Sequence, residues 1–318
     1  MLYFASRPKA GLGRRKRLPH LAGVRPNLVL FPDMSRTRFA RLCAAALLCA
    51  GCWIAYTQTQ APQKLTLSKV KDDLYMIEGD GGNVAAYVTS EGVILVDDKF
   101  EQDHDAIVAQ VKSVTNLPVK YVLSTHHHAD HSGGNAKFLP TAEIISTANA
   151  RANIVNHAQP NVSAELAPAR VTFTEETAVF LGGKEVRARY FGRGHTNGDA
   201  IIYFPALRTI HTGDLMAGST PLIDYRGGGS AVEWTKTLDA AMKWDFDTVI
   251  PGHGAVTTKA GLLAYNNNIA KLRDRAAGLI REGKSQDEVA KVMDAEFGWG
   301  PKSMQAQWSL PGLMTELK

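Results

Sequence analysis

Cysteine is nearly missing from this chain: its three copies, Cys43, Cys49 and Cys52, all precede residue 53. Residues 57–318 therefore hold no disulfide framework, no CxxC redox site and no thiolate metal ligand. Any metal centre there is built from nitrogen and oxygen. Basic charge is also scarce in the body. The formal net charge is +5, but residues 1–56 carry ten Lys or Arg against the single acid Asp33, a local +9. Of the 36 bases and 31 acids, 26 and 30 remain for residues 57–318, a net −4. A nucleic-acid surface announces itself as a basic domain, so that partner is not expected. A membrane-length apolar run is absent too. Leu42–Tyr56 (LCAAALLCAGCWIAY) falls short of the roughly 20 residues a spanning helix needs. Repeats of solenoid period are missing, as is low complexity beyond the first 56 residues.

What is present begins with that leader. MSRTRFAR, from Met34, followed by the apolar stretch, has the charge and length of a targeting segment. Residues 1–56 are expected to be a signal peptide or membrane anchor, with Met34 the physiological start. Residues 57–64 form a polar linker and 65–318 the folded domain. Export is expected, to the periplasm in a bacterium. Gly51-Cys52 also allows a lipoprotein junction, which keeps membrane attachment open. With 45% hydrophobic and 21% charged residues, the body can bury an ordinary core.

The body opens with short β-rich runs at 64–69, 73–78, 83–89 and 92–97, separated by the turns GDGG and SEG. A helix is expected at 103–114 and a strand at 119–124, then short elements at 133–139, 143–146 and 148–156. A second β-rich block spans 171–212. Helix 231–243 and strand 248–251 follow. Leu262, Tyr265, Ile269, Leu272, Ala276 and Leu279 make a 3-4-3-4-3 stripe for a helix over 258–282. Ser285-x-x-Glu288 then caps a last helix that ends near Phe297. Two strand blocks, each followed by helices, argue for an α+β layered domain.

Residues 125–134 read THHHADHSGG, within which His126, His128, Asp130 and His131 lie inside six positions. No amphipathic face explains four metal-competent side chains so close together. In extended backbone, positions i, i+2 and i+4 share one side. His126, His128 and Asp130 can converge there, while His131 starts a second direction. Imidazole with carboxylate suits zinc, with iron or manganese as alternatives. Three further strands end in glycine turns that carry a ligand-type residue: GRGHTNGD with His195, HTGD with Asp214 and PGHG with His253. Loops held by a rigid sheet are a common place for a site.

This ordered set, HHHADH, GHT, TGD and PGHG, resembles the metallo-β-lactamase superfamily of metal-dependent hydrolases over roughly residues 65–300. The resemblance implies a four-layer αββα sandwich with two metal ions at one edge between the sheets. Carried over by position, it implies His126, His128 and His195 on metal one. Asp130, His131 and His253 fall on metal two, with Asp214 bridging. It further implies two zinc ions holding a hydroxide between them as nucleophile, with Asp130 also orienting it or accepting its proton. His127 is expected to point away, and His211 to be an ordinary strand residue. Thr196 and Asp199 either support the site or tie down the turn after His195. His20, His104 and His157 receive no role.

An aspartate at 214 resembles glyoxalase II-like thioesterases and lactonases, since the best-known lactamases carry Cys or Ser there. The expected activity is therefore cleavage of an ester, thioester, lactone or lactam in a small-molecule substrate. A β-lactamase is the first alternative, and an iron-dependent persulfide dioxygenase-like redox enzyme the second. The loop Asp224-Tyr225-Arg226 before Gly227–Gly229 offers Tyr225 as a substrate contact, with loop packing as the alternative.

Overall fold

The computed structural model describes residues 64–156 and 166–318; the leader at 1–56, the linker up to residue 63, His20 and His157 lie outside the described residues. The described residues belong to one compact unit, Gln60–Lys318. Seven strands lie side by side in chain order: β1 (Thr66–Lys71), β2 (Leu74–Glu78), β3 (Val84–Val88), β4 (Val93–Val96), β5 (Val119–Leu123), β6 (Glu143–Thr147) and β7 (Val171–Phe173). The first four pair antiparallel through tight turns. From β4 onward pairing is parallel, and parallel neighbours need crossovers. These are α1 (His104–Lys112), the short α2 (Ala129–Ser132) and α3 (Asn135–Phe138), and α4 (Ala148–Asn156).

The second sheet holds β8 (Glu176–Leu181), β9 (Lys184–Tyr190), β10 (Ala200–Phe204), β11 (Thr209–His211), β12 (Thr248–Ile250) and β13 (Thr257–Thr258), in the order β13-β12-β11-β10-β9-β8. Its single parallel pair, β11 with β12, is joined through α5 (Ala231–Ala241). Then come α6 (Lys259–Arg281), α7 (Gln286–Phe297), a π-helical turn at Gln305–Ser309, and α8 (Leu310–Glu316).

Strand β10 shows why the layers stack. All five residues, AIIYF, are buried, because alternate side chains leave by opposite faces. Ala200, Ile202 and Phe204 meet Tyr87, Ile94 and Leu123 of the first sheet. Ile201 and Tyr203 face Trp234, Leu238 and Leu272 of the helices. On the far side of the first sheet, Val93, Leu95 and Val122 pack with Ile107, Val111 and Phe138. The order is helix, sheet, sheet, helix: the expected αββα sandwich.

The α6 stripe is buried as expected, and Ser285 and Glu288 form the reciprocal capping box of α7. The block 171–212 divides between the sheets, because β7 pairs parallel with β6 and only the later strands form the second sheet. The tail beyond residue 298 is ordered into the π-helical turn and α8. Leu310 and Leu313 are buried in the helix-side core, which is what folds so short a segment.

Candidate metal centre

Parallel strands end together, so loops after β4, β5, β11 and β12, with that between β9 and β10, gather at one edge. Strand β5 delivers Ser124 to His131, and α2 starts within the motif: His128 is extended, at φ −68° and ψ 146°, before Ala129 turns helical. The change of backbone sends His126 and His128 one way and His131 another. The first group is tight. His128 Nδ1 lies 3.2 Å from His126 Nε2 and 2.9 Å from His195 Nε2.

The outer nitrogens settle what these inner ones are. His195 Nδ1 donates to the Leu222 carbonyl at 2.6 Å, and His128 Nε2 donates to Asp224 Oδ2 at 2.9 Å. His126 Nδ1 meets Thr125 Oγ1 at 3.0 Å, and that hydroxyl donates onward to Asp97 Oδ2 at 2.8 Å. Each outer nitrogen thus carries a proton, and each inner one a lone pair. Burial lowers the pKa of His126, with His131 and His195 adding repulsion, and burial with His128 takes His195 to about 4. Both rings are neutral near pH 7. His128 is the exception: burial opposes its charge, but the hydrogen bond and charge of Asp224 outweigh burial and raise its pKa. A cation among the three rings would replace that proton and take up all three inner lone pairs.

The second group joins Asp130, His131 and His253. His131 Nε2 and His253 Nε2 are 3.2 Å apart, and Asp130 Oδ2 is 3.2 Å from His253 Nε2. Behind His131, Nδ1 donates to Asp97 Oδ2 at 2.7 Å. Burial works against charge on His253, yet the neighbouring Asp130 and Asp214 carboxylates outweigh it and lift its pKa to about 9. Burial likewise opposes ionisation of Asp130, but His131 and His253 overcome it and hold its pKa at about 2. This pocket draws positive charge.

Asp214, on the turn after β11, stands between the groups. Its Oδ1 is 3.1 Å from His131 Nε2 and 3.5 Å from His253 Nε2, while Oδ2 is 3.7 Å from His195 Nε2. Oδ1 is buried and accepts no hydrogen bond, although buried carboxylate oxygens normally have a partner. The position suits one carboxylate oxygen for each of two ions. Glycines permit the approach: a Cβ on Gly252 would fall on Asp214 Oδ1, and one on Gly82 on the His131 ring. The all-nitrogen-and-oxygen donor set, the facing lone pairs and the orphaned oxygen all fit a pair of divalent cations.

All seven residues named from sequence are brought together here. His127 is buried behind them, its Nε2 3.6 Å from Asp224 Oδ2, and His211 bonds Asn83 O within the strand edge. Asp199 ties the turn, accepting from the Thr196 amide at 2.9 Å and from its hydroxyl. His104 lies away from the site against Phe138. Tyr225 takes the packing alternative: its hydroxyl donates to Glu316 at 2.7 Å, and its ring covers Gly312. Sequence reasoning missed Asp97, Thr125 and Asp224, which grip the histidines from behind. Asp97-Asp98-Lys99, directly after the apolar VILV of β4, was the available signal, since all three are buried.

The family model of the metallo-beta-lactamase superfamily matches residues 77–253. Metallo-beta-lactamase IND-1 of Chryseobacterium indologenes is 28% identical over 171 residues, 52% of this chain and 69% of the relative. The 2,4-dinitroanisole O-demethylase subunit alpha of Nocardioides sp. (strain JS1661) is 27% identical over 136 residues, 43% of this chain and 40% of that protein. Among solved structures, a metallo-beta-lactamase from Pontibacter korlensis superposes with a TM-score of 0.58 at 18% identity, covering 65% of this chain and 99% of its own.

Proposed function

Because the chain belongs to the metallo-beta-lactamase superfamily, a family of metal-dependent hydrolases, we propose that it holds two zinc ions and hydrolyses an ester, thioester, lactone or lactam. The observation that carries this is Asp214, which offers one oxygen to each of two histidine groups. His126, His128 and His195 would hold one ion, and Asp130, His131 and His253 the other, with Asp214 shared. Bound zinc supplies Lewis acidity and a water acidic enough to attack near neutral pH.

The protein's own residues do the rest. Asp97 and Asp224 fix ring orientation and tautomer, so that lone pairs face inward. Asp130 keeps one oxygen near His253 while part of its side chain stays exposed, which suits a group that orients the attacking water and takes its proton. The buried imidazole wall limits bulk water to the open side. Export rests on the leader alone, and the proposed substrate is a small molecule free in that compartment.

A β-lactam is the second reading, favoured by relatives named as metallo-beta-lactamases. Another relative is named as an O-demethylase subunit, so family membership leaves the scissile bond open. The test compares a chromogenic cephalosporin with thioester and lactone substrates on the zinc-loaded full chain, against a chelated control. Turnover of thioester or lactone at kcat/KM above about 10⁴ M⁻¹s⁻¹, lost on chelation, supports the acyl-hydrolase reading. That rate on the cephalosporin alone moves the assignment to β-lactamase. Full turnover after metal removal sinks both.

A further inference from the structure

The loop from Leu222 to Ser230 touches metal group one from behind at three points. The Leu222 carbonyl receives His195 Nδ1, Asp224 Oδ2 receives His128 Nε2, and the Asp224 amide donates to the His195 carbonyl at 2.9 Å. A carboxylate placed this way works only if the loop itself is held. Within the loop, Asp224 Oδ1 accepts the amides of Arg226 and Gly227, each at 3.0 Å. Those bonds shape the turn but do not anchor it.

The glycine end of the loop is tied to its neighbours: Gly227 O accepts from the Asn197 amide at 2.8 Å and from Asn153 Nδ2 at 3.2 Å, and the Ser230 amide donates to Gly194 O at 2.9 Å. The stretch that carries Leu222 and Asp224 is held in addition by the far C-terminal segment, outside the stretch matched by the family model. The Ile223 amide, between the two gripping residues, donates to Ser309 Oγ at 2.8 Å. Glu316 closes the other end. Its Oε2 accepts from Tyr225 Oη at 2.7 Å and from the Ala231 amide at 2.9 Å, and Oε1 accepts from Ser230 Oγ. Ser230 caps α5 and Ala231 is its first residue, so the carboxylate also sits where the helix dipole favours an anion. Gly312 completes the fit, because a Cβ there would fall on the Tyr225 ring. Leu310 and Leu313 bind the segment into the same core as Ile223 and Trp234.

Resting on the two-ion reading above, we infer that residues 305–317 are a positioning element of the first metal group, acting through Glu316 and Ser309 on the loop that orients His128 and His195. The second group is backed instead by Asp97, to which this segment makes no hydrogen bond. The inference therefore demands an asymmetric effect: loss of Glu316 weakens one ion and spares the other.

The test is equilibrium zinc titration of the full-length protein against a competing chelator, with the visible spectrum of the cobalt(II)-loaded protein as a second readout. Glu316→Ala should weaken one of two zinc affinities by about 10-fold, the low end for loss of an outer hydrogen-bond partner, and alter the cobalt bands. Glu316→Gln, which keeps one carbonyl acceptor, should recover part of that loss. Val289→Ala, on α7 in the helix-side core, supplies the control for general loosening and should leave both affinities unchanged. Equal weakening by Val289→Ala, or Glu316→Ala binding both ions like wild type, overturns the inference and leaves the two-ion reading intact. A wild-type chain that takes up no zinc overturns that reading, and the positioning role with it.

Discussion

Asp97→Asn exposes the logic of the site most sharply, because it changes proton placement and removes one buried negative charge while keeping the shape of the side chain. Asp97 lies in the left-handed region at φ 62°, where asparagine is well tolerated, so the backbone has no reason to move. The carboxylate receives three donors: the Thr125 amide at 2.7 Å on Oδ1, and Thr125 Oγ1 and His131 Nδ1 at 2.8 and 2.7 Å on Oδ2. An amide can satisfy only part of this. With its NH₂ towards His131, the imidazole must accept at Nδ1 and carry its proton on Nε2, the atom that faces Asp214 and the proposed ion. The Thr125 hydroxyl must turn likewise, which reverses His126. With NH₂ towards the Thr125 amide instead, two buried donors meet and a backbone N–H is left unpaired, at about 1–3 kcal/mol.

The metal-free variant adopts the first arrangement, and metal binding has to force the second. The affinity loss is then that same 1–3 kcal/mol, or about 5- to 150-fold at roughly 1.4 kcal/mol per decade. Chelator competition on wild type and variant measures it. ¹⁵N chemical shifts of the histidine rings in the metal-free variant should show His131 protonated at Nε2 and bare at Nδ1. Zinc affinity within twofold of wild type would refute the claim that Asp97 sets the tautomers.

Gly252→Ala drives a methyl group onto Asp214 Oδ1 and should cost at least one equivalent of zinc, by metal analysis of dialysed protein, with activity falling in parallel; two retained equivalents would contradict the shared role of Asp214. Leu272→Ala, in the fully buried stripe of α6, should lower stability by about 2–5 kcal/mol in urea denaturation while leaving metal content at the wild-type value. Lys99 is buried, and desolvation takes its pKa from 10.5 to about 8 against the pull of Asp103 and Asp80. Because the folded-state pKa is depressed, between pH 8 and 10.5 the unfolded chain binds a proton that the native chain has released. Lys99 should therefore add about 3 kcal/mol of stability as pH rises through that window. Urea midpoints of the chelated protein should show this rise in wild type and not in Lys99→Met; parallel profiles would refute it.

Much of the fold could be read from local pattern. The VILV and VKYVL strands, the α6 stripe and the Ser285–Glu288 box are short-range signals, each set by side-chain period or capping chemistry. The partner of β7 was not legible, since Val-Thr-Phe suits the edge of either sheet and only the crossover through α4 decides. The tail helix was hidden for a similar reason: two buried leucines three residues apart carry no measurable period.

At the site, the chain by itself determined the donors. The crowding of imidazoles and carboxylates at 126–131, and the glycine turns that present His195, Asp214 and His253, are written in residue type and spacing. Metal affinity begins with the chemistry of those atoms. What only the tertiary structure decided is which nitrogen of each ring faces inward. That choice belongs to hydrogen bonds from distant segments: Asp97 behind His131, Asp224 behind His128, Leu222 behind His195, with Glu316 holding the loop that supplies two of them. A proton goes to whichever nitrogen meets an acceptor, and only folding brings those acceptors within reach.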